Sequence, residues 1–458
     1  MKKLLSILFA ALLFSAALSA QTPKYVFLFI GDGMGNNQAY LTGLYNKRTG
    51  AGGDVNFCGF PVRALVSTYS ASSLVTDSSA AGTALSSGQK VNNGAMGWTP
   101  EGDCTVSVAE TAKRNGWGAG VVTSVGVNHA TPGAFYAHVP SRNQYDDIAR
   151  QLYASEIDFA AGATLLHDKG TKTSELIDAA KQAGLQVFCG RDEYRTVKGG
   201  RVLCLSSNPD QSALTYAIDR KGDETRLADF TAEAIDHLYA NYASKGFFLM
   251  VEGGKIDYAC HARDAGTTFA EINDMAESVE LALEFAAKHP KQTLIIVTAD
   301  HETGSCTVTH GKYECYPERY ASQVCSKDAV TDAIRSLRRE TGNKPSWWQI
   351  KDILRESLGL WDTVPVSRKQ EAEFTQIYKE SYLDDDKSEE VNLYSTNERI
   401  VAAAFDCLDT WAGISWPYGN HSGSPVLLYA YGAGAQAFAT CLDNTDIPKT
   451  IAKVAKFK

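Results

Sequence analysis

The sequence predicts a doubly wound α/β fold: a mostly parallel central sheet flanked by helices, with a helical insertion. Short apolar runs stop abruptly at polar, glycine-bearing segments: YVFLFI before GDGMG, FFLMV before EGGKID and LIIVT before ADHETG. Unbroken apolar runs of this length belong to strands buried on both faces, as parallel strands are. Between them, residues 106–115, 224–243 and 269–288 carry apolar side chains three to four apart, the spacing of a helix with one buried stripe. The 458 residues are 44% hydrophobic and 21% charged, the balance of a folded chain with one large core. Strands alternating with helices make a parallel sheet, whose ligands gather beyond the carboxyl ends of its strands.

Taken in chain order, the first element is MKKLLSILFAALLFSAALSAQ. Two lysines, an apolar run shorter than a comfortable span and small residues before Gln21 read as a secretory signal peptide over residues 1–20. The alternative is an uncleaved anchor or a buried N-terminal helix. The remaining chain, 21–458, reads as one domain. A net charge of −9 argues against nucleic-acid binding, which needs a basic face. Export permits disulfides among the ten cysteines, and the close pairs Cys189/Cys204, Cys306/Cys315 and Cys407/Cys441 are candidates. A cysteine metal cluster is disfavoured because paired C-x-x-C spacings are missing, and Cys260 reads as a packing residue. Residues 312–399 differ from the rest, with charged helical stretches such as SLRRE, WWQIKDILRES and RKQEAEFTQIYKE and few buried-strand runs. They read as a helical insertion in which Trp347 and Trp348 serve a core or a partner.

Acids and histidines collect at the strand ends. Asp32 follows the first apolar run, Glu252, Asp257 and His261 follow another, Asp300 and His301 a third, and His421 precedes the run PVLLYAY. Asp257 and His261 are four residues apart, so a helical turn points both to one side, where they could grip one ion. Asp300 and His301 could both ligate from a loop. Histidine with carboxylate suits zinc, and an all-oxygen set with water suits magnesium, so two chemically different sites are expected. Asp32 alone could simply shape the glycine turn, and His138, His167, His237, His289 and His310 have no such context. LVTDSSAAGTALSSG reads as a helix start at which Thr76, Asp77, Ser78 and Ser79 all compete as caps.

Six segments in order, FIGDGMG, VTDSSAAGTALSSG, VNHATPGAFYAHVPSR, VEGGKIDYACH, TADHETG and HSGS, resemble the alkaline phosphatase family. The resemblance spans 25–431 and leaves 152–245 and 312–399 without a recognisable motif. It implies an exported, periplasmic or secreted phosphomonoesterase with two zinc ions and one magnesium ion. Ser78 would be phosphorylated, and Arg142 would grip the phosphoryl group. Asp257, His261 and His421 would hold one zinc. Asp32, Asp300 and His301 would hold the zinc touching Ser78, and Asp32, Thr131 and Glu252 the magnesium. Asp77 would position Arg142 and the serine. His129 and Tyr258 stand where family members differ, and would tune the magnesium site and the pH optimum. The implied partners are small phosphate monoesters, with no nucleic acid and no membrane span once the signal is removed; a homodimer is left open.

The chemistry agrees with that resemblance. A serine hydroxyl needs a base or a metal to become nucleophilic, and no histidine neighbours Ser78 in the chain. A planar guanidinium suits phosphoryl oxygens better than a lysine. The rival readings are a phosphodiesterase or sulfatase of the same superfamily, and a non-catalytic protein that binds metal or phosphate. A diester has one charged oxygen fewer to reward Arg142, and TDSSAAG lacks the sulfatase modification pattern.

Overall fold

The protein is described by a computed structural model covering residues 22–190, 199–384, 389–394 and 396–458. The signal-peptide segment lies outside these residues. Thirteen strands are present among them: β1 Tyr25–Gly31, β2 Val62–Val66, β3 Gly118–Thr123, β4 Phe159–Gly162, β5 Gln186–Cys189, β6 Val202–Leu205, β7 Phe247–Gly253, β8 Thr293–Ala299, β9 Glu302–Thr303, β10 Glu389–Val391, β11 Thr396–Glu398, β12 His421–Ser422 and β13 Val426–Gly432. The helices used below are α1 Asn36–Thr49, α2 Ser78–Ser87, α3 Val108–Arg114, α4 Leu227–Tyr242, α5 Lys255–His261, α6 Ala265–Lys288, α7 Lys327–Glu340, α8 Trp347–Leu358, α9 Arg368–Tyr378 and α10 Arg399–Ala412.

Nine strands form one twisted layer in the order β2-β13-β8-β1-β7-β3-β4-β6-β5. The three apolar runs become β1, β7 and β8 at its centre, every residue of each buried. They are parallel and in level register, Ile30 beside Glu252 and Thr298, and Gly31 beside Gly253 and Ala299. The acids that follow β1 and β8 therefore emerge at the level where Glu252 ends β7. β13 runs antiparallel to β8, so its start lies on the same edge as the other strands' ends. That reversal brings His421 to the site.

The three helices expected from periodicity are α3, α4 and α6, with ends shifted by up to four residues. Their buried stripes meet the aromatic core, where Tyr25 and Phe27 of β1 pack edge-on against Phe285 of α6. Full burial of such a ring contributes about 1.5–3 kcal/mol. Two histidines without an assigned role belong to this packing: His289 lies 4.6 Å from the Phe285 ring, and His237 5.6 Å from Phe159. His138 pairs with Glu110 at 3.4 Å.

The insertion, residues 312–399, lies in the chain between β9 and β12, and these two strands pair with each other in a small separate ladder, His421 beside Thr303. It is helical through α7, α8 and α9, as its composition suggested, but it also carries the short hairpin β10–β11. Trp347 packs against Trp361, Phe374 and Tyr378, whereas Trp348 is exposed. No helix among the described residues is long and apolar enough to cross a membrane.

The expected disulfides Cys189/Cys204, Cys306/Cys315 and Cys407/Cys441 are not formed; no disulfide joins any of the ten cysteines. The β5–β6 register sets Cys204 beside Phe188 and Cys189 beside Leu205, so the two thiols alternate to opposite faces. Cys407 is held inside α10, while Cys441 Sγ lies 3.8 Å from Thr450 Oγ1. Nearness along the chain is a poor guide to pairing when each cysteine is buried by its own element.

Candidate active site

Asp32, Glu252, Asp257 and Asp300 arrive from three strand ends, Glu252 and Asp257 sharing that of β7, and are completely buried. Each carboxylate is arranged to leave oxygen bare. Asp300 Oδ1 accepts from the amides of Gly33 (3.1 Å) and His301 (2.9 Å), while its Oδ2 has no hydrogen bond. Asp257 Oδ1 accepts from Thr303 Oγ1 at 2.5 Å and its Oδ2 is bare. Glu252 Oε2 accepts from the Thr123 hydroxyl and its Oε1 is bare. Both oxygens of Asp32 are bare, as is Thr131 Oγ1. Buried polar atoms without partners are rare in folded proteins; here they converge.

The imidazoles are oriented in the same sense. His261 Nδ1 donates to the Gly419 carbonyl (2.5 Å) and His421 Nδ1 to that of Thr76 (2.9 Å), so both present an Nε2 lone pair inward. His301 Nδ1 contacts Thr303 Oγ1 at 3.2 Å, with the same effect. Burial first, and then His421, lower the pKa of His301, which keeps it neutral. Burial pushes Glu252 up to about 7, and burial with Asp300, Asp257 and Glu252 raises Asp32 well above the usual carboxylate range. Four carboxylates thus crowd a space to which a single guanidinium, Arg142, answers.

The separations fit divalent cations. Donors about 2.0–2.1 Å from a tetrahedral zinc stand roughly 3.3–3.4 Å from one another. His261 Nε2 lies 3.3 Å from Asp257 Oδ2 and 3.1 Å from His421 Nε2. His301 Nε2 lies 3.3 Å from Asp32 Oδ1, from Asp300 Oδ2 and from Ser78 Oγ. Three groups have donor atoms mutually within 4.8 Å: Asp257 with His261 and His421, Asp32 with Asp257 and His301, and Asp32 with His129 and Glu252. Asp32, with two bare oxygens, is placed to serve two centres. His129 brings a nitrogen beside the set that was read from the sequence as all oxygen.

Gly33 makes this convergence possible. Its φ of 70° is left-handed, and a Cβ there would stand 2.6 Å from Asp257 Oδ1 and 2.9 Å from Asp257 Cα. Gly33→Ala is expected to displace that carboxylate and weaken divalent-cation binding by about 10–100-fold, the usual range when a ligand's support is lost. Competition with a chromogenic chelator measures this.

Ser78 opens α2, fully buried, and the cap of that helix is Asp77 rather than Thr76 or Ser79. Asp77 Oδ1 accepts from the Ala80 amide at 3.1 Å, and its Oδ2 from Ser79 Oγ (2.7 Å) and Arg142 Nη1 (3.1 Å). Burial opposes its charge, but Arg142, Ser79 and Ala80 together hold its pKa below the usual range. Arg142 Nη2 lies 3.3 Å from His129 Nε2. The fold brings Ser78 Oγ to the His301 nitrogen that also faces Asp32 and Asp300, so the hydroxyl lies beside a candidate cation position.

Sequence reading missed three participants. Thr303 and Thr123 support carboxylates from positions adjoining the strand ends, and Thr303 lies inside the quoted TADHETG segment. Tyr394 comes from the insertion and stacks on Tyr258, ring centroids 3.9 Å apart and planes at 18°. Tyr258 also meets His129 edge-on at 6.2 Å.

The alkaline phosphatase family model matches the chain over residues 23–162 and 157–457. Alkaline phosphatase 4 of Bacillus subtilis is 33% identical over 388 residues, covering 83% of this chain and 77% of that protein. A cold-active alkaline phosphatase from a psychrophilic Shewanella superposes with a TM-score of 0.79 at 26% identity, covering 94% of this chain and 99% of the other. A TAB5 alkaline phosphatase variant, described with magnesium bound in its M3 site, superposes with a TM-score of 0.66 at 25% identity, covering 96% and 99%.

Proposed function

The chain belongs to the alkaline phosphatase family, a family of phosphomonoesterases, and from that premise we propose that it hydrolyses small phosphate monoesters through a phosphoserine on Ser78. The observation that carries this reading is the set of bare carboxylate oxygens and inward imidazole nitrogens beside the Ser78 hydroxyl and the Arg142 guanidinium.

Asp257, His261 and His421 would hold one zinc, Asp32, Asp300 and His301 a second, and Asp32, Thr131 and Glu252 a magnesium. When bound, these cations supply Lewis-acid neutralisation of the charge that builds up in phosphoryl transfer, and they lower the pKa of hydroxyl groups. Ser78 Oγ gives up its proton to solvent and attacks phosphorus, the bond from phosphorus to the ester oxygen breaks, and the alcohol departs with a proton from water. Water then attacks the phosphoserine in line, losing a proton to solvent, the bond from phosphorus to Ser78 Oγ breaks, and Ser78 Oγ takes a proton back from water as inorganic phosphate is released. Arg142, held by Asp77, offers two parallel donors to the non-bridging oxygens. Backbone amides at the start of α2 face the same anion.

Export to the periplasm or medium is part of this proposal and rests on the N-terminal segment. Stoichiometric zinc analysis beside relative rates on p-nitrophenyl phosphate and bis-p-nitrophenyl phosphate tests the catalytic reading. Faster diester hydrolysis, or zinc binding without hydrolysis, would sink it. Arg142→Lys is expected to raise KM for p-nitrophenyl phosphate by about 10–100-fold, since a lysine keeps the charge but not the paired donors to a charged group. Steady-state kinetics read that change.

A further inference from the structure

The insertion reaches the active site at Tyr394, which follows β10, and both β10 and β11 are held by neighbouring elements. Glu390 of β10 pairs with Arg263, two residues past His261, and lies 3.9 Å from Lys327 Nζ of α7. Arg263 adopts a left-handed φ of 55°, uncommon for a residue with a side chain. Arg335 of α7 donates to Glu389 (2.9 Å) and to the Thr396 carbonyl (2.7 Å), and Thr331 donates to Asn397 at 2.9 Å. Arg338 and Tyr382 close on Glu398 at 3.0 and 2.9 Å. Both strands of the hairpin are therefore clamped from outside.

What the clamp presents is Tyr394. Its ring is fixed by the stack on Tyr258 and by an edge contact with His261, centroids 5.3 Å apart. Its hydroxyl oxygen stands 3.5 Å from Arg142 Nη2, on the nitrogen that also faces His129. That is long for a hydrogen bond. Among the described residues nothing accepts the Tyr394 hydroxyl proton. A donor whose ring is packed in place, which faces the guanidinium and has no acceptor among the described residues, is suited to an anion held by that guanidinium.

We propose that Tyr394, delivered by the insertion of the same chain, is a phosphate-binding residue that donates its hydroxyl to a non-bridging oxygen of the phosphoryl group gripped by Arg142. The inference rests on the reading of Arg142 as the phosphate grip. Tyr394 thereby completes the wall of the phosphate pocket, so the insertion is part of the site.

The test uses the metal-loaded full chain with inorganic phosphate as the probe. Its affinity is measured by calorimetry and as a competitive inhibition constant against p-nitrophenyl phosphate. Tyr394→Phe keeps the stacked ring and loses only the hydroxyl. It is expected to weaken phosphate binding about tenfold, the usual scale for one hydrogen bond to a charged group, with an equal rise in KM, kcat within about threefold and an unchanged melting temperature. Phosphate affinity equal to wild type in Tyr394→Phe would overturn the proposal. So would a loss confined to Tyr394→Ala, which would assign the effect to ring packing. If wild type hydrolyses the monoester while Tyr394→Phe binds phosphate normally, this inference fails and the proposed reaction stands. If wild type shows no monoesterase activity, the proposed reaction fails as well.

Discussion

Ser78→Ala is expected to lower kcat for p-nitrophenyl phosphate by about 10³-fold or more, because the two-step route through a covalent ester loses its nucleophile. The change is sterically mild. Ser78 sits at the first turn of α2 behind the Asp77 cap, and among the described residues its hydroxyl contacts only His301. The variant should therefore fold, bind zinc and melt as wild type does. Acid quench during turnover of a ³²P-labelled monoester separates this reading from a direct attack by water: wild type should retain label on the protein, and Ser78→Ala should retain none. Near-normal turnover by the variant would remove the phosphoserine from the mechanism.

The second large effect is expected on chelation. Asp32, Glu252, Asp257 and Asp300 are fully buried around one space, and burying carboxylates without compensation is costly. Cations that bind only the folded state stabilise it by about 4 kcal/mol at a thousandfold excess over Kd. Exhaustive removal should abolish activity and lower the melting temperature by about 5 °C or more, allowing for a long chain's smaller shift per kcal/mol. Zinc with magnesium should restore both, whereas magnesium alone should leave the imidazole-bearing centres unserved. A melting temperature indifferent to chelation would mean that the carboxylates are balanced otherwise.

Much of this architecture is legible in the residues, for identifiable reasons. β1, β7 and β8 are buried on both faces, so they must be written as unbroken apolar runs, and the polar residues that follow them are conspicuous. Asp257 and His261 share a helical turn, so their spacing alone places them together. His421 required a reversal of strand direction that local pattern does not encode. Tyr394 was invisible for a different reason. Its strands, Glu389–Val391 and Thr396–Glu398, are held by ion pairs and hydrogen bonds from α7, so they show no apolar alternation. The pair Cys189/Cys204 misled because spacing along a chain ignores the face of the strand on which a thiol falls.

The pairing of β9 with β12 closes the insertion at its root, with His301 and Thr303 on the outgoing side and His421 on the returning side. An excursion sealed in this way can vary in length without unseating the imidazoles at its base, whereas Tyr394 travels with it. Grafting this segment between relatives would therefore exchange the proposed phosphate contact of Tyr394 while leaving the proposed metal ligands at the seam in place.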